Sequence, residues 1–125
     1  MSVVEGQSEV IVEGERAILS VRGFHSIEDA QSCASKLERF AKRHRDDGGH
    51  VFVDISGITG FSRDARQRWQ DCFKEISTGV RSITIVGGTP MARMAGAAVC
   101  LYAGIKFSTA PTMVAALAGA DQRAS

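Results

Sequence analysis

The chain has 125 residues, enough for one ordinary domain with a sizeable core and too few for two. Hydrophobic residues make up 44% and charged residues 23%, a globular composition that argues against disorder. A formal net charge of +1 offers no global attraction to nucleic acid or to an acidic membrane surface, so neither is expected as a partner.

Cys33, Cys72 and Cys100 are odd in number and far apart, with no C-x-x-C among them. Each sits among apolar residues, which predicts reduced, buried thiols in a cytoplasmic protein. The opening "MSVVEGQSEV" has no basic region followed by an apolar run, so no secretory signal is expected. The longest apolar segment, Met94 to Ile105, is shorter than the roughly 20 residues of a bilayer span.

Taken in chain order, "EVIVEG" and "RAILSVRG" are rich in aliphatic and β-branched residues with the break "EGE" between them, and predict a hairpin. Ala17, Leu19 and Val21 share one face of its second strand, and Ile18, Ser20 and Arg22 the other. Ser26 then caps a helix with Glu28 and Asp29 in its first turn. Ile27, Ala30, Ala34, Leu37, Ala41 and His44 form its apolar stripe, and "KRHRDDGG" ends it. "HVFVDI" predicts a central strand covered on both faces, and "DISGITGFS" reads as a glycine loop. A second helix follows with Ala65, Trp69, Cys72, Phe73 and Ile76 on one stripe, then "RSITIVGG" as another buried strand. Pro90 suits the first turn of a third helix, "PMARMAGAAVCLYAG", which has one charge, Arg93. "IKFSTA" is a last short strand, Pro111 opens a final helix through Leu117, and the remaining tail is expected to fray. The order predicts an α/β fold: one domain over 1–125, with its core at about 9–118. It has a mostly parallel sheet of four to five strands, an N-terminal hairpin and about four helices.

This order, with "DISGITGFS" after the central strand, resembles the STAS domain (sulfate transporter and anti-sigma-factor antagonist) over nearly the whole chain. Asp54, Ser56 and Gly57 look like the start of the antagonists' "D-L-S-G" signature, and "ITGFSRDARQRW" looks closer still to a STAS-like branch of small bacterial proteins. The antagonists' signature continues with aspartate, a phosphorylatable serine, a serine or threonine, and glycine. Those places here hold Ser62, Arg63, Asp64 and Ala65, so Arg63 stands where the phosphoacceptor would be. Ser62 is well placed as an N-cap and, one position away, is also a candidate acceptor beside Arg63 and Arg66. Ser56 and Thr59 are weaker candidates.

Chemistry has little support in the sequence. His25, His44 and His50 stand near element boundaries, with His25 expected in the turn before the first helix and His50 just ahead of a strand. None has a His or Cys at metal-ligand spacing. "IVGGTPMAR" lacks the lysine and spacing of a P-loop. Asp54 is a single carboxylate without a partner. No enzyme, cofactor or metal is expected.

The resemblance implies a cytoplasmic regulatory module that docks a protein partner, such as an anti-sigma factor, a kinase-like regulator or another STAS protein. The docking residues would be Ser56, Thr59, Phe61, Ser62, Arg63, Asp64 and Arg66. A second reading is a small apolar ligand or lipid held by Met91, Met94 and Tyr102 of the third helix. A third is self-association into a homo-oligomer through the edge of the N-terminal hairpin.

Overall fold

Strand β1 (Gln7–Glu13) turns back through Gly14 and Glu15 into β2 (Arg16–His25), and the two pair antiparallel from Gln7↔Arg22 to Glu13↔Arg16. Gly14 has φ +59° and, among the described residues, no other residue type takes positive φ, so glycine comes first in the two-residue turn, as in a type II′ hairpin. The computed structural model describes residues 7–124, with side chains described to 119. Residues 1–6, on which the expectation of no secretory signal partly rests, and residue 125 of the expected domain lie outside the described residues.

The chain continues through α1 (Ile27–Arg43), β3 (Gly49–Phe61), α2 (Arg63–Ile76), β4 (Val80–Val86), α3 (Pro90–Ala103), β5 (Phe107–Ala110) and α4 (Met113–Ala124). The sheet runs in sequence order, β1-β2-β3-β4-β5, and every pair after the hairpin is parallel with one helix between its strands. This is the α/β architecture expected, with five strands and four helices.

The main core lies between the sheet and α1, α2 and α3. Leu19 and Val21 of β2, Val51 of β3 and Ile83 of β4 meet Leu37, Cys72 and Cys100 there. Period-2 alternation turns Ile18, Phe52 and Val86 to the opposite face, where Ala116 and Leu117 of α4 cover part of the sheet. All three cysteines are free and buried. Burial pushes the Cys100 thiol up to about 12 and Cys33 and Cys72 also upward, so the described cysteines are poor nucleophiles.

Each helix start is set by a local donor–acceptor match. Ser26 accepts from the Asp29 N–H (3.2 Å), Ser62 from Ala65 (3.1 Å), Thr89 from Ala92 (3.2 Å) and Thr112 from Ala115 (3.2 Å). The last of these corrects the expected start of α4. Thr112 rather than Pro111 opens it, and the helix runs on to Ala124 instead of stopping at Leu117.

The main departure from the sequence reading is "DISGITGFS". All of it but Ser62, the cap of α2, is the later part of a 13-residue strand rather than a glycine loop. β3 stays paired with β2 as far as His25↔Phe61, with register shifts at Ser20/Arg22 and Gly23/Phe24. The glycines that suggest a turn serve close strand contact instead. A Cβ on Gly57 would stand 3.2 Å from Arg22 Cγ, and one on Gly60 3.3 Å from Phe24 Cδ1. For the same reason His25 ends a strand rather than occupying a turn, and His50 lies within β3.

Candidate functional site

Beyond Asp54, where its pairing with β4 ends at Val86, β3 continues with β2 alone beside it. The sequence-expected docking residues lie along this extension and the first turn of α2. An extended strand covers about 3.3 Å per residue, so Ser56 and Ser62 are about 20 Å apart and form a strip rather than a point.

At the near end, Ser56 donates its hydroxyl to Asp54 Oδ1 (2.6 Å), and its backbone N–H donates to the same oxygen (3.0 Å). Asp54 therefore acts on the local backbone and hydroxyl. At the far end, the Ser62 hydroxyl caps α2 while its N–H donates to the His25 carbonyl (3.1 Å). Thr59, Arg63, Asp64 and Arg66 are exposed, and Phe61 is half-buried. None of the three charged residues forms an ion pair with another described residue.

Behind the strip lies an apolar cleft of about 100 Å³, partly open to solvent, between the sheet, α2 and α3. Val53, Ile58 and Ile85 form its floor, and Trp69 and Phe73 one wall. The other wall is Ala92, Ala95, Gly96 and Val99 of α3. Gly96 brings that helix so close to the sheet that a Cβ there would stand 3.0 Å from Ile85 Cδ1. Phe61 and Arg66 line the cleft as well as the strip, so the two features share a border.

The expected ligand residues lie elsewhere on α3. Met91, Met94 and Tyr102 do not line the cleft; they lie on the outer side of α3, 77%, 73% and 58% exposed. Both faces of α3 are apolar, so periodicity gave no inner side. Packing chose the face of small residues, which can approach the sheet.

His25 joins the site unexpectedly. It is 3% exposed, its Nε2 accepts from the Trp69 indole N–H (2.8 Å), and its Nδ1 lies 3.0 Å from Ser8 Oγ. Since Nε2 accepts, the neutral ring carries its proton on Nδ1 and donates it to Ser8. Burial lowers its pKa, partly opposed by Asp29. The only signal for this in the sequence is the single tryptophan, whose buried N–H needs an acceptor.

Among the described residues there is no group of three or more His, Cys, Asp or Glu side chains that could hold a metal. Nor is any helix among them long and apolar enough to cross a membrane.

No family model and no curated protein matches the sequence. Solved structures do. An uncharacterized protein of the DUF3478 family with a SpoIIAA-like fold, from Shewanella loihica PV-4, matches with a TM-score of 0.74 at 15% identity, over 95% of this chain and 98% of that one. The anti-sigma factor antagonist SpoIIAA in its unphosphorylated form matches with a TM-score of 0.68 at 9% identity, over 94% and 98%. A candidate anti-sigma factor antagonist from Thermotoga maritima matches with a TM-score of 0.56 at 14% identity, over 90% and 92%. With the strand order and helix placement described above, these matches show that the chain has the SpoIIAA-like, or STAS, fold.

Proposed function

We propose that this protein is a non-enzymatic, cytoplasmic regulatory module that docks a protein partner on the strip from Ser56 to Arg66. The observation that carries the reading is the strip itself. It is a strand extension with one side unpaired by β4, leading into a helix start with three exposed charges that pair with no described residue. Mixed charge on an exposed edge favours specific, reversible association. Two neighbours in fold are named as anti-sigma factor antagonists, one of them as a candidate, so the partner is an anti-sigma factor, a kinase-like regulator or another STAS protein.

Phosphate, if it regulates docking, goes on Ser62. That hydroxyl stands at the positive end of α2 beside Arg63 and Arg66, whereas the Ser56 hydroxyl is held by Asp54. Native mass spectrometry of the protein taken gently from its own cells tests both points. The expected result is a co-purifying protein that is lost when Arg63, Asp64 and Arg66 are all charge-reversed, with the unfolding midpoint unchanged. Full retention of every partner by that variant would end the docking proposal. A phosphate mapped to Ser56 and not Ser62 would end the regulatory part.

A second reading has its own observation, the apolar cleft. Space of about 100 Å³ is below the roughly 150 Å³ of a protein cavity that admits benzene, so the closed part of the cleft takes only a short apolar group. Trp69 is the only tryptophan and lines the cleft, so its emission reports occupancy. An apolar probe smaller than benzene, such as propane, should shift that emission, and Gly96→Leu should abolish the response. No shift up to the probe's solubility limit would sink this reading and leave the docking reading untouched.

A further inference from the structure

The sheet face that carries α4 is only half covered. α4 packs on its C-terminal half, where Ala116 and Leu117 meet Phe52, Val86 and Ala110. Parallel sheets ordinarily bury both faces under helices, and their strands are then apolar throughout. Here the N-terminal half of the face is polar instead. A concave space of about 680 Å³ lies over it, with no described side chain of α4 in its wall.

Two registered rows build that space. Arg16, His50 and Ser82 lie side by side across β2, β3 and β4, and Phe52, Thr84 and Ser108 across β3, β4 and β5. The Ile83 N–H donates to the Lys106 carbonyl (3.0 Å), which sets Lys106 at the far end of the first row. His50 Nδ1 lies 2.8 Å from Ser82 Oγ, and Thr84 Oγ1 lies 3.3 Å from Ser108 Oγ. A hydroxyl has one proton and two lone pairs, so the Thr84–Ser108 pair keeps one O–H free to donate to a ligand.

Charge selects the ligand. Among the described residues the wall holds Arg16, Arg81 and Lys106 against a single acid, Glu15. Arg81 donates to the Asp47 carbonyl (2.8 Å), while the Asp47 carboxylate is taken by His44 (3.1 Å). Lys106 is exposed and makes no ion pair with a described residue. β2 and β5 are three strand spacings apart, about 14 Å, so Arg16 and Lys106 flank the hydroxyls from opposite sides. An anion that accepts from several directions at once suits such a setting, and a phosphate group offers three strong acceptor oxygens. The ion alone would fill little of the space, whose volume is that of sites for small organic molecules, roughly 300–1,000 Å³.

We propose that this half-face binds a small organic phosphate ester, its phosphate held between Arg16 and Lys106 over the Ser82 and Ser108 hydroxyls. The site lies on the opposite face of the sheet from the apolar cleft and at the other end of β3 from the docking strip. It stands whether or not either of those is occupied.

The test is titration of the full chain with phenyl phosphate, followed by phosphorus NMR and by backbone amide shifts. The expected result is a dissociation constant of about a millimolar or below, with the largest amide shifts at Ser82, Thr84, Lys106 and Ser108. Phenol, which lacks the phosphate, should not bind. Lys106→Gln should weaken binding roughly tenfold, and Lys106→Arg should keep it. Lys42→Gln removes the same charge from the last turn of α1 and should change nothing. Both lysines are exposed, so these variants should fold as the native chain does. No binding at several times the expected dissociation constant overturns the proposal. So does binding that Lys106→Gln leaves intact, or that Lys42→Gln weakens as much, which would reduce the effect to net charge. Amide shifts centred on Ser62, Arg63 and Arg66 would move the phosphate to the start of α2 and overturn it as well. Inorganic phosphate bound as tightly as phenyl phosphate would give the site to the free ion and overturn the assignment to an ester.

Discussion

Trp69 and Ser8 both use the ring of His25, and only the neutral ring can satisfy both. Protonation would put a second N–H against the indole N–H and break the bond that ties α2 to the end of β2. The folded pKa lies below the ordinary 6.5, chiefly because the ring is buried. Below 6.5 the unfolded chain therefore takes up a proton that the folded chain refuses, and stability falls as pH falls through that value toward the folded pKa. Above 6.5 this contribution is fully present. Urea midpoints should drop between pH 7 and 5, with Trp69 emission changing over the same window. A His25 ring resonance that titrates at or above its ordinary value would contradict this account.

At the scale of elements, α1 and α2 are joined by a staple as well as by their apolar stripes. Arg68 donates from both terminal nitrogens to the two Glu38 oxygens (2.9 Å each), and its Nε donates to Gln31 (2.6 Å). The pair is about four-fifths shielded, with side chains 18% and 20% exposed, and the bidentate geometry is the strong kind. The Glu38 carboxylate also raises the Arg68 pKa. Glu38→Ala should cost about 1–2 kcal/mol in chemical denaturation, because it strands a largely covered guanidinium. Glu38→Gln should recover part of that through Gln31-like hydrogen bonding. Equal stability of both variants and the native chain would show the pair to be inert. Strand β3 belongs to this scale too. Gly57 and Gly60 are there because Arg22 and Phe24 of the neighbouring strand come within van der Waals reach, a requirement that a one-dimensional reading takes for a turn.

For the whole molecule, the alternation of strands and helices was legible because it is written in local patterns. The caps at Ser26 and Ser62, the stripe from Ala30 to Ala41 and the buried run of β3 each rest on residues within a few positions of one another. Periodicity and capping chemistry act over such distances, so sequence by itself determined the class of fold, the order of elements and most helix starts. Tertiary structure decided what depends on partners far along the chain. It extended β3 because β2 offers a paired edge far earlier in the chain, with Phe24 opposite Gly60 and His25 opposite Phe61. It chose the inner face of α3 by the fit of Gly96 to Ile85, when both faces were equally apolar. It also joined His25 to Trp69, 44 positions away, at a cleft whose lining comes from five separate elements. Contacts of that range leave no periodic trace in a single sequence, because they are set by which surfaces pack closest once the sheet has formed.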